Sequence, residues 1–118
     1  MQEYEVEVSD FGQTHAILTK LGFALSLRFE KYRETFTYQG AEIVLDEVPF
    51  GTFMEIEGPQ EAIRAMVTAL GLDFDARLVS SYVDIFDTVC TTYKLPATDI
   101  TFEAFRSLAI DLRACQLR

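Results

Sequence analysis

Among its 118 residues the chain has no tryptophan, one histidine, two cysteines and three prolines. A lone histidine, His15, excludes a multi-histidine metal site within one chain. Cys90 and Cys115 show neither metal-binding nor redox spacing, and both fall in expected helices. Free thiols in a reducing cytoplasm are the simpler reading. No apolar run approaches the roughly 20 residues of a membrane span. The opening MQEYEVEVSD is acidic and alternating, unlike a basic-then-apolar leader. Basic residues are scarce, ten against nineteen acidic, giving a net charge of −9. That balance provides no footprint for a nucleic-acid backbone, whereas it is compatible with divalent cations. A phosphate ligand has to be met locally, by a few placed cations or by metal. No phosphate-loop glycine motif, nucleophile elbow or paired Cys/His site is present. The expectation is a cytoplasmic chain without membrane or nucleic-acid partners.

What the chain does contain is bulk and alternation. Hydrophobic residues make up 49% of it, including ten phenylalanines and five tyrosines, enough for one ordinary domain core. Gln2–Val8 alternates strictly, with Tyr4, Val6 and Val8 opposite Glu3, Glu5 and Glu7, which predicts a strand. Ser9 or Asp10 caps a helix over about Phe11–Leu21, with Phe11, Ile17, Leu18 and Leu21 as its buried stripe and Gly22 as its stop. Strands follow over about Leu27–Tyr38, Ala41–Glu47 and Thr52–Glu57, separated by turns at Gln39-Gly40 and Val48–Gly51. A helix from Pro59 to Leu70 buries Ile63, Met66 and Leu70. Another, capped by Ser80 or Ser81, runs to Tyr93 with Tyr82, Ile85, Phe86, Val89 and Tyr93 as its apolar stripe. After a connection over Lys94–Ile100, a last helix spans Thr101–Cys115 with Phe102, Phe105, Leu108, Ala109 and Leu112 on one side. The fold class is α+β: a four-stranded antiparallel sheet in β-α-β-β-β-α order plus two C-terminal helices. Residues 1–118 read as a single domain, with the sheet and two helices over 1–79 and the C-terminal helices over 80–118.

The chemistry-bearing pattern is the sharing of strand faces. Lys31, Arg33, Thr35 and Thr37 fall on one face at period-two spacing. Asp46 ends the next strand with Glu42 and Val44 on its side, and Glu55 and Glu57 share a face of the fourth. Converging, these faces would suit a magnesium- or manganese-bound polyphosphate. Hard cations prefer carboxylate oxygens, while lysine and arginine take the remaining phosphate charge. The bland alternative is a solvated sheet face, which has the same alternating look. Phe29 and Phe53 fall on the charged side, where they either flank a base or make strand-end contacts. Tyr32, Phe36 and Tyr38 fall opposite, as core.

In order and spacing, EYEVEVSDF, ILTKLGF, RFEKYRETF, LDEVPFGTFMEIEG and SY resemble the later strands of CYTH domains, those of bacterial class IV adenylyl cyclases most of all. The likeness covers about Gln2–Tyr82 and corresponds to the C-terminal half of that triphosphate-tunnel fold. It implies Lys31 and Arg33 as triphosphate-binding residues. It implies Glu55 and Glu57, with Asp46, Glu3 and Glu5, as ligands of Mg2+ or Mn2+. The substrate implied is ATP or inorganic triphosphate, with cyclase or triphosphatase chemistry in an active member; no catalytic residue is assigned. Met1 stands where the family has an arginine, and the opening E-x-E-x-K strand has no counterpart. Four strands cannot close an eight-stranded tunnel. A homodimer that rebuilds it is therefore expected. The alternatives are a non-catalytic binding or assembly module, or a fragment that needs a separate N-terminal half.

Overall fold

The computed structural model describes residues 2, 4–96 and 99–118. In chain order its elements are α1 (Phe11–Lys20), β1 (Tyr32–Tyr38), β2 (Ala41–Val48), β3 (Gly51–Glu57), α2 (Gln60–Ala69), α3 (Tyr82–Tyr93) and α4 (Phe102–Phe105). Single 3-10 turns lie at Phe74–Ala76 and Leu112–Cys115. The three strands form an antiparallel sheet in the order β1-β2-β3. The α+β class holds, with three strands in place of four.

Both hairpins follow from their turns. Gln39 and Gly40 take φ of 48° and 80°, the double left-handed conformation whose twist matches a two-residue hairpin. Pro49 and Phe50 form the second two-residue turn, between the paired Val48 and Gly51. β1 is shorter than the Leu27–Tyr38 expected because its partner runs out, Tyr32 pairing with Glu47 near the end of β2. Upstream, Phe29 instead makes a parallel bridge with Ile100. This is closed by Glu30 N–H donating to the Ile100 carbonyl at 2.9 Å and Ile100 N–H to that of Arg28 at 2.8 Å.

The core lies at one end of the sheet. Val48 and Phe50 of the second turn pack with Ile85, Phe86 and Val89 of α3 and with Ile100, Phe105 and Cys115. Phe50, Phe86 and Phe105 form a triangle of rings 6.0–6.2 Å apart. α3 has the expected start: Ser81 accepts from Asp84 N–H at 3.2 Å while the Asp84 carboxylate accepts from Ser81 N–H at 3.1 Å, a reciprocal capping box.

Several expectations are overturned. The segment before α1 forms no strand among the described residues. A strand exists only by pairing, and Tyr4 and Val6, 88% and 85% exposed, lie against no sheet edge. α1 forms where expected, its cap made by Asp10 accepting from Gln13 N–H at 2.7 Å, but it buries none of its residues. Its local code suffices for the helix, yet no surface of the described residues lies against its stripe. Tyr32, Phe36 and Tyr38 are likewise exposed rather than core. Leu70, expected in the buried stripe of α2, is exposed as well, and Met66 alone is fully buried there.

The last helix is also broken. Instead of one element over Thr101–Cys115 there are two single turns, α4 and Leu112–Cys115. The Tyr93 hydroxyl takes both backbone groups of Asp111, accepting from its N–H at 2.8 Å and donating to its carbonyl at 3.2 Å. The Asp111 side chain caps the second turn through Arg113 N–H. Ten residues of straight helix would set Phe105 and Cys115 about 15 Å apart, whereas both are buried in one cluster.

Candidate anion site on the sheet

Register assembles the site. Across the sheet Arg33 pairs with Asp46 and Asp46 with Phe53; the next row is Thr35, Val44, Glu55, and the next Thr37, Glu42, Glu57. Directly paired residues project to the same side, so the basic pair, the aspartate and both glutamates share one face, as their periodicity requires. The other face carries Phe36, Ile43 and Ile56 in one row and Glu34, Leu45 and Met54 in another.

At the centre is Asp46, a carboxylate with 0% exposure. Arg33 grips it with both arms of its fork, Nε to Oδ1 at 2.7 Å and Nη2 to Oδ2 at 2.5 Å. The Tyr82 hydroxyl donates to Oδ2 at 2.8 Å, and the Lys31 ammonium stands 3.6 Å from the same oxygen. A buried charge needs such partners, or desolvation would neutralise it. The Arg33 hydrogen bond outweighs burial and, helped by Tyr82 and Lys31, holds the acid down at about 2. Arg33 is correspondingly held more firmly protonated. The Tyr82 phenol is pushed well above its ordinary range, first by its own burial and then by the Glu55 and Asp46 carboxylates. Its ring is braced edge-on by Phe53 at 5.3 Å and Phe29 at 5.8 Å, and Lys31 Nζ lies 5.6 Å from its centroid. Phe29 and Phe53 are thus on the charged side, where they support a tyrosine.

The sequence-derived site residues divide clearly. Lys31, Arg33 and Asp46 come together, and Glu55 joins through a 3.5 Å contact with Arg33 Nη2. Glu57 shares the face, opposite Glu42. Glu5 sits on the segment without regular structure and is exposed; Glu3 lies outside the described residues. Tyr82 was read only as part of the apolar stripe of α3. A tyrosine directly after a capping serine, partly buried against the core and with a hydroxyl to satisfy, is the signal for it.

The donor set does not fit a resident metal in one chain. Among the described residues no group of three or more His, Cys, Asp or Glu side chains is disposed to hold one. Both oxygens of Asp46 are committed to cationic and hydroxyl donors, and Glu55 is shared with Arg33. What the arrangement offers is anion binding. Lys31 and Arg33 stay about one-third exposed, 32% and 38%, held in place by a counter-charge sealed beneath them. A separate groove along α3, lined by Phe86, Asp87, Cys90, Thr91 and Leu95, contains no cation. Cys90 and Cys115 are unpaired thiols. Among the described residues no helix is long and apolar enough to cross a membrane.

No curated protein and no solved structure gives a significant match to the chain. The family model for the CYTH domain matches residues 1–70, the stretch that carries Lys31, Arg33, Asp46, Glu55 and Glu57. With the matched segment covering more than half of the chain, and the charged residues gathered on one sheet face, this protein belongs to the CYTH domain family, whose tunnel fold is associated with triphosphates.

Proposed function

We propose that the chain binds a triphosphate, either ATP or inorganic triphosphate, in a tunnel completed by a second copy. The observation that carries this reading is the pair Lys31 and Arg33. They are held side by side around a shielded aspartate, about one-third open to solvent, on the face that the resemblance to CYTH domains assigns to triphosphate. Arg33 Nη1 is not used by Asp46 and is free to meet a phosphate oxygen, with Lys31 as a neighbouring point charge. Asp46 then positions the cations and is not a metal ligand. Magnesium or manganese enters as the polyphosphate's own counter-ion, with Glu55 and Glu57 on the face toward it. A second copy would double the cations and cover the open sheet. The whole chain, residues 1–118, acts as one unit in this reading, since Tyr82 closes the site from beyond the matched segment.

Thermal melting with ATP or inorganic triphosphate, with and without magnesium, tests the proposal. A ligand at 100 times its Kd stabilises the native state by about 2.7 kcal/mol, a rise of several degrees in Tm. Lys31→Ala should abolish that rise, measured from the variant's own unliganded Tm. No rise with either ligand overturns triphosphate binding. A second reading, a non-catalytic binding or assembly module, is favoured by the commitment of both Asp46 oxygens and the lack of a three-carboxylate cluster among the described residues. A Tm rise without cyclic nucleotide or phosphate release supports it.

A further inference from the structure

Residues 4–25 form an arm without a socket among the described residues. Tyr4, Val6, Phe11, Ile17, Leu18, Leu21, Phe23 and Leu25 are all exposed. The root of the arm is clamped elsewhere. Arg28 N–H donates to the Asp99 carboxylate at 3.1 Å, Phe29 bridges to Ile100, and Leu27 packs on the C-terminal core. Only about four residues, 23–26, remain as slack between α1 and that clamp, roughly 13 Å when extended. The sheet face away from Asp46 meanwhile exposes Phe36, Tyr38, Leu45 and Met54, and a three-stranded sheet has two open edges. The radius of gyration is 17.1 Å, against about 13.5 Å for a compact chain of this length. The surface is 9447 Å², against roughly 6,500 Å² for a folded monomer of this mass. The surplus suffices for one side of an obligate homodimer interface, whose total runs to roughly 2,000–5,000 Å².

We infer that residues 4–25 dock on the sheet of a second copy, each chain lending its arm to the other. The apolar stripe of α1 covers the partner's exposed apolar sheet face, and the alternating segment Tyr4–Val8 adds to an open edge. Period two then fixes the consequence for the site. With Tyr4, Val6 and Val8 in line with the apolar face, Glu5 and Glu7 fall on the side of the partner's cations. Exchange supplies carboxylates that a single chain keeps away from Lys31 and Arg33. The inference deepens the paired-tunnel reading above and is separable from triphosphate binding.

Sedimentation of the full chain at micromolar concentration tests it, with Ile17→Glu on the arm and Phe36→Glu on the sheet. Both positions are exposed in one chain, so each variant should keep its far-UV circular dichroism. Each should self-associate at least about 100-fold more weakly, since a charge enters an apolar contact. Mixed in equal amounts, the two variants should recover a heterodimer, because one arm and one sheet remain intact and complementary. A wild-type monomer overturns both pairing and exchange. A wild-type dimer indifferent to the substitutions, or variants that fail to rescue each other, overturns exchange and leaves pairing standing.

Discussion

Asp46 and Arg33 are unequal partners in one ion pair, and the inequality predicts how each substitution behaves. Removing Arg33 strands a fully shielded carboxylate with Tyr82 and Lys31 for support, whereas removing the carboxylate leaves a guanidinium that already reaches water. Arg33→Ala should cost about 3 kcal/mol in urea unfolding and Asp46→Asn about 1–2 kcal/mol. Equal costs would mean that the pair is not buried on one side only. The depressed acidity of Asp46 adds a pH dependence. Its folded value of about 2 lies below the usual 3.8, so its stabilisation is complete above about pH 4 and is lost as the pH falls toward 2. The contribution is about 2 kcal/mol. Wild type should therefore lose stability over that window more steeply than Asp46→Asn, as read by melting at fixed ionic strength. Tyr82→Phe keeps the ring packing and removes one donor, with a loss of about 1–2 kcal/mol.

Elements held by local chemistry were legible, and elements that needed a partner surface were not. The Ser81 cap, the Gln39-Gly40 turn and the strand faces around Lys31, Arg33, Asp46, Glu55 and Glu57 rest on neighbours in sequence or on strict alternation. Pattern therefore sufficed for them. Ser81→Ala should shorten α3 at its start and cost about 1 kcal/mol. It should also loosen Tyr82, which a fall in near-ultraviolet circular dichroism would register. The N-terminal strand, the buried stripe of α1 and the unbroken last helix have equally good periodicity and are absent among the described residues. Alternation at Tyr4–Val8 records a capacity to pair, which needs an edge alongside. The stripe over Phe102–Leu112 gave no hint that the Tyr93 hydroxyl would claim the backbone of Asp111. For Tyr82, helical spacing describes the ring and says nothing of the hydroxyl that makes it a site residue.

At the scale of the molecule, charge and shape pull against each other. Each chain carries −9, so pairing sets like charges together while hiding apolar surface. Salt screens the first and leaves the second intact. Raising sodium chloride from about 20 mM to 0.3 M should tighten self-association, and weaker association in salt would place ion pairs rather than apolar side chains at the interface. The docking of α3 has a reach of its own. Tyr82 stands on a helix beyond residues 1–70, yet its phenol is one of the groups sealing the lone carboxylate beneath the two cations. Lifting that helix would admit water to the aspartate, return its acidity toward normal and slacken its grip on the guanidinium. The C-terminal layer thereby acts as a lever on how much positive charge the sheet presents, and whatever shifts that layer retunes the site without touching it.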